Sequence, residues 1–167
     1  MSITNYPGTN ASHAPLFDFN RSRGSADQNM TSVAASDKLG ELIFRGSNGS
    51  SFQDAVTLRA YADSVSGSTV NGRFEIGTTN GSHSAKLIIS KEGHITPNAN
   101  NTQDLGSTAK GWRNVYMNDL NLSNMKGNTN DVDGTQGSWT IQEGKDDLYI
   151  INRLNGKKFK IKMEEIS

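Results

Sequence analysis

Nowhere along this chain do apolar residues keep a helical spacing for three turns; short alternating or apolar runs recur instead, each cut off by Gly, Asn or Ser. Alternation at every second position gives an extended strand one face to bury, and Gly/Asn/Ser clusters supply the turns between strands. The pattern predicts an all-β fold. Candidate strands fall at 16–19, 42–45, 55–62, 73–76, 85–90, 112–117, 138–142, 148–154 and 157–163. Val56, Leu58, Ala60 and Ala62 share a face opposite Thr57, Arg59 and Tyr61, and Phe74 and Ile76 likewise oppose Arg73 and Glu75. Residues 26–38, with Met30, Val33, Ala34 and Ala35, read as an ordered loop rather than a helix.

Such strands need something to bury against, and the chain has little. Leu, Ile, Val and Phe number 33 of 167 residues, at the edge of the disordered range. Disorder also calls for a large net charge, whereas 17 Lys and Arg balance 17 Asp and Glu. With no cysteine, neither disulfides nor thiolate-bound metal supply the missing stability. Burial of strand faces against copies of the same chain is the simplest remedy. No apolar run is long enough to span a membrane, and residues 1–20 lack the basic and apolar regions of a signal peptide. The expectation is a soluble protein made in the cytoplasm, with no membrane insertion. Zero net charge gives no reason to expect nucleic acid as a partner.

Two segments repeat at a spacing of 32: Gly40-Glu41-Leu42-Ile43-Phe44 aligns with Gly72-Arg73-Phe74-Glu75-Ile76, and Asn48-Gly49-Ser50 with Asn80-Gly81-Ser82. Each unit reads as strand, Gly-rich turn, strand, and stacked units of this kind need neighbours to cover their faces. Beyond Asn98 the texture changes to Asp104-Leu105-Gly106-Ser107 followed by Trp112-Arg113-Asn114-Val115-Tyr116. This element resembles one found near the distal end of many tailed-phage tail fibres. The run from Gly40 to Ile95 is similar to the hairpin repeats of their shafts, and the stretch from Asp119 through Trp139 to Ile161 resembles a small module that follows the distal element. The resemblance covers roughly 40–166. It implies an elongated, interwoven homotrimer in the virion that serves host attachment, with other tail or fibre proteins and a host cell-surface glycan or protein as partners. Two departures are plain. Nothing matches the self-cleaving chaperone, with its Ser-Asp start, that ends many such fibres, and residues 1–35 do not look like a large virion anchor. The organisation read from this is a shaft of β-hairpin repeats over 1–97 and a distal β module over 98–167.

The search for chemistry returns bland answers. His13, His83 and His94 lack paired-ligand spacing and read as surface histidines. Asp131-Val132-Asp133-Gly134 lacks the further oxygen ligands of a calcium loop and reads as a turn. Neither a nucleophile elbow nor a phosphate-binding loop is present. Asp146-Asp147 and Glu164-Glu165 are sequence neighbours, which strand geometry points to opposite faces, so neither pair suits glycoside cleavage. No catalytic residue, metal or cofactor is expected, and the chain is read as a non-enzyme. Residues 119–147 carry net −4 and residues 148–167, with Lys157, Lys158, Lys160 and Lys162, carry net +3, so mutual neutralisation is expected. Among the aromatic anchors Trp112, Tyr116, Trp139 and Tyr149, Trp112 and Trp139 are expected to hold the core of the distal module, while Trp139 and Tyr149 are the candidate receptor contacts. A rival reading is a virion decoration or head fibre without a receptor role, and a more distant one is a polysaccharide-acting tailspike.

The C-terminal hairpin allows a sharper expectation. Asn155-Gly156 as a two-residue turn pairs Asn152 with Phe159, Ile150 with Ile161 and Leu148 with Met163 on one face, and Tyr149 with Lys162 and Ile151 with Lys160 on the other. Ile150 and Ile161 are then buried and Lys158 and Lys160 face outward.

Overall fold

The computed structural model describes residues 17–25, 30–80 and 82–166, and the chain divides into two compact units, Met1–Asn98 and Ala99–Ser167. Nine strands and no helix occur among the described residues, so the fold is all-β and antiparallel.

Unit 1 is a five-stranded meander of β1 (Lys38–Ser47), β2 (Phe52–Ser66), β3 (Thr69–Asn80), β4 (Ser82–Ile89) and β5 (Ile95–Pro97), paired in that order. The alternation read from the sequence is what sorts its faces. One row runs Leu42–Leu58–Ile76–Leu87–Pro97 and the next Gly40–Ala60–Phe74–Ile89–Ile95. The opposite face carries Glu41–Arg59–Glu75 in a single row. There Lys38 Nζ lies 2.6 Å from Glu41, Arg59 also pairs with Glu41, and Arg73 reaches Glu75 at 2.8 Å while its guanidinium stacks 4.6 Å over Tyr61. These charges share their face with Ile43 and Ile88 and stand opposite the hydrocarbon rows. Both copies of the 32-residue repeat are hairpin halves, β1 and β3, lying on either side of β2.

Two expected strands are absent. Leu16 lies outside the described residues, and Phe17–Phe19 has no ladder; the two rings meet edge to face at 4.8 Å, and Phe19 lies against Gly40, where a Cβ would come 2.8 Å from the ring. Residues 112–117 form no strand either. Strand propensity there finds no partner among the described residues, and propensity without a ladder does not make a strand. Trp112 is 65% exposed, so it holds no core formed by this chain, contrary to the expectation. The loop reading of residues 26–38 matches residues 30–37; residues 26–29 lie outside the described set.

That loop is tied down by Asp37. Its carboxylate receives Arg23 at 2.6 and 2.8 Å and the Ala34 N–H at 2.9 Å, while its carbonyl receives the Ala62 N–H at 2.8 Å. The Arg23 guanidinium, and then the Ala34 N–H, hold the Asp37 carboxyl well below the usual carboxylate range. A carboxyl depressed in the fold stabilises fully above its unfolded value, about 3.9, and loses that contribution as pH falls through the folded value. Asp37→Asn is therefore expected to lower stability at neutral pH, with the gap to the parent closing below about pH 4. Urea unfolding across a pH series checks this; a gap that stays constant to low pH would remove the ion pair from the account.

Unit 2 is a four-stranded meander of β6 (Asp119–Ser123), β7 (Ser138–Glu143), β8 (Leu148–Asn152) and β9 (Lys158–Lys160). Its last hairpin departs from the expected register by two residues: Ile150 pairs with Phe159, Tyr149 with Lys160 and Ile151 with Lys158. Asn152 is the cause. Its side-chain oxygen accepts the N–H groups of Leu154 and Asn155 at 2.9 and 3.3 Å, and its carbonyl accepts the Gly156 N–H at 2.8 Å. The loop thus spans residues 153–156, with Gly156 at φ +74°, and closes where the Asn152 N–H meets the Lys157 carbonyl at 2.9 Å. A slip of two preserves faces. Lys158 and Lys160 remain exposed, while Ile150 and Ile161 are half-buried rather than buried.

Candidate functional site

The unit 2 sheet has two chemically different faces, and the candidate residues are divided between them. On the first face one row runs Leu120–Ile141–Ile150–Phe159 and a second Leu122–Trp139–Asn152. Trp139 and Phe159 lie with ring centroids 6.0 Å apart, and the Trp139 indole N abuts Gly137, where a Cβ would come within 3.0 Å. Leu120, Leu122 and Phe159 are all exposed.

Beside Trp139 the connection from β6 to β7 walls a cleft of about 610 Å³, lined by Leu122, Trp139, Asn130, Asp133 and Thr135 among others. Asn130 and Asp133 build its rim. Asn130 Nδ2 donates to Asp133 Oδ1 at 2.6 Å, and Asp133 also accepts from the Thr135 N–H at 3.0 Å and the Thr135 hydroxyl at 2.7 Å. Thr135 first, then Asn130, lower the Asp133 carboxyl below its ordinary value. The Asp131–Gly134 stretch is thus a turn whose carboxylate is held by protein donors. Among the described residues no group of three His, Cys, Asp or Glu side chains has metal-binding geometry.

The second face is polar. Thr140 is fully buried on it; its hydroxyl donates to Asn121 Oδ1 at 2.6 Å and accepts from Arg153 Nε at 2.8 Å. Gln142 donates to Asp119 at 2.8 Å, and Lys160 Nζ lies 2.8 Å from Asp147, which raises the Lys160 pKa. At this point the acidic and basic blocks of the sequence meet. Tyr149 sits here too, its ring against Gly144 and its hydroxyl 3.5 Å from Asp147.

Trp139 and Tyr149 therefore stand on opposite faces of one sheet and cannot contact a single ligand group together. Trp112 and Tyr116 precede the sheet in a strand-free, exposed segment. His94 is exposed in the turn before β5; His13 and the side chain of His83 lie outside the described residues. The cleft beside Trp139 had no counterpart in the sequence reading. Its only signal was the recurrence of Asn124 and Asn130 among Gly127, Gly134 and Gly137, residues that fold a long connection into turns.

No protein-family model matches this chain, and no curated protein matches it. Among solved structures it is similar to the carboxy-terminal domain of the bacteriophage T5 L-shaped tail fibre, with a TM-score of 0.51 and 9% identity over 95% of this chain and 86% of that one. The chain shares its all-β fold with that domain. The same T5 domain with its intramolecular chaperone domain aligns with a TM-score of 0.47 and 11% identity, over 100% of this chain and 63% of that one.

Proposed function

We propose that this chain is a component of a phage tail fibre, carried on the virion, which assembles as a homotrimer and attaches the particle to its host. The observation that carries the assembly is the apolar face left open on each sheet: Leu42, Phe74 and Leu87 in unit 1, and Leu120, Leu122 and Phe159 in unit 2, are all exposed.

In this role the other tail or fibre proteins hold one end, and a host cell-surface glycan or protein is the target. Three identical surfaces make weak contacts together, so avidity supplies the affinity. No catalytic step and no cofactor enter. The polar face of unit 2, with Tyr149 and Lys160, is the surface available to a receptor once the apolar face is covered; Trp139 belongs to the covered side.

Light scattering on the purified chain is expected to give three times 18.1 kDa, with folding and assembly lost together on dilution. A stable folded monomer at micromolar concentration defeats the proposal.

A further inference from the structure

Residues 104–117 form a strap that has shape but no cover. Its shape comes from a turn in which the Ser107 N–H donates to the Lys110 carbonyl at 2.9 Å and the Lys110 N–H returns to Ser107 at 3.2 Å. Gly106, at φ +93°, takes the left-handed conformation of this turn, where a Cβ would come 3.1 Å from the Lys110 carbonyl and 3.5 Å from the Trp112 ring. Upstream, Asn100 donates to the Lys126 carbonyl at 2.7 Å and fastens the start of the strap to the sheet's own loop. Yet Leu105 is 77% exposed, Val115 58%, Tyr116 91% and Met117 51%. The strap runs directly into β6, whose Leu120 and Leu122 belong to the open apolar face, and it does not cover that face in its own chain.

We propose that the strap of one copy docks on the apolar face of the unit 2 sheet of the next copy. This rests on the trimer reading and adds the mode of contact. A ring of three copies is held by a heterologous interface, in which one patch meets a different patch on the neighbour. Unit 2 presents two such patches, strap and face, both apolar and both left exposed among the described residues. Charge points the same way. Lys110 and Arg113 on the strap, and Glu143 on the apolar face beside Ile141, make no ion pair among the described residues, and Asp133 adds a second carboxylate at the rim of the Trp139 cleft. With Asp104 counted the strap is net +1, and it meets a face on which Glu143 and, at the cleft rim, Asp133 are the carboxylates; the cation on that side, Lys157, adjoins Asn152 at the end of the Trp139 row.

The chain has two tryptophans and no cysteine, which makes the test direct. In Trp139→Phe the sole reporter is Trp112; its emission in the assembled protein is expected to be blue-shifted, and its acrylamide quenching several-fold weaker than in urea. In parallel, full-length Tyr116→Cys chains are refolded with Leu122→Cys or Phe159→Cys chains and treated with a short bismaleimide. Cross-linking between unlike chains, and none within a single-variant sample, is the expected result. A monomeric mass defeats both this proposal and the trimer reading. A trimeric mass with a water-exposed Trp112 and no mixed cross-link defeats this one alone. Cross-links between identical sheet cysteines likewise overturn it, in favour of apolar faces packed on one another.

Discussion

Ile150→Asp is expected to abolish assembly. Ile150 sits in the middle of the apolar face of unit 2, with Ile141 beside it on β7 and Phe159 beside it on β9. None of these neighbours offers a hydrogen bond, so a carboxylate placed there stays unpaired wherever that face is covered. An unpaired buried charge costs far more than the lost methyl groups, and a three-fold assembly repeats the penalty at each subunit. Light scattering should show loss of the trimer peak, with monomer or aggregate in its place. Lys160→Ser is the matched control. Lys160 lies on the other face, 61% exposed in its pair with Asp147, and such a pair contributes about 0–1 kcal/mol. An Ile150→Asp protein that remains trimeric would show that this face is not interior.

The contrast between those two substitutions was legible in the sequence, because alternation alone assigns Ile150 and Lys160 to opposite sides and a register error of two residues leaves sides unchanged. What alternation does not report is which hydrogen bonds close a loop. Asn155-Gly156 has the stronger turn signature, but Asn152 captures two backbone N–H groups first and draws the loop out to four residues. β6, Asp119-Leu120-Asn121-Leu122-Ser123, alternates cleanly, but its two leucines form an apolar row only when Trp139 and Ile141 are set beside them. β5 was hidden by Pro97, which an edge strand tolerates. Residues 112–117 are the opposite case, where valine and aromatics promise a strand that finds no ladder among the described residues. In each case the missing information was long-range: a strand exists by virtue of its partner. The candidate site suffered in the same way, because Trp139 and Tyr149 carry the same chemical promise in one dimension and are separated by the thickness of a sheet in three.

That separation yields the last expected result. Trp139 packs against Phe159, lies in register with Leu122 and fills the space left by Gly137, so Trp139→Ala removes a large ring from the face that the proposed assembly covers. Truncations of this size cost roughly 3–5 kcal/mol in packed interiors. Melting should fall sharply and adsorption to host cells should fall with it, as a consequence of lost structure. Tyr149 is 38% exposed on the polar face, with Gly144 beneath its ring and Asp147 at its hydroxyl. Removing it disturbs no apolar row, and its effect on stability should stay at about 1 kcal/mol or less. Tyr149→Ala is therefore expected to melt and scatter light like the parent while binding host cells more weakly. The two variants separate scaffold from receptor contact only if adsorption is read beside thermal stability. Normal adsorption by a trimeric Tyr149→Ala protein would remove the polar face from the binding role, and a Trp139→Ala protein that melts normally but fails to adsorb would place the receptor in the cleft beside the indole.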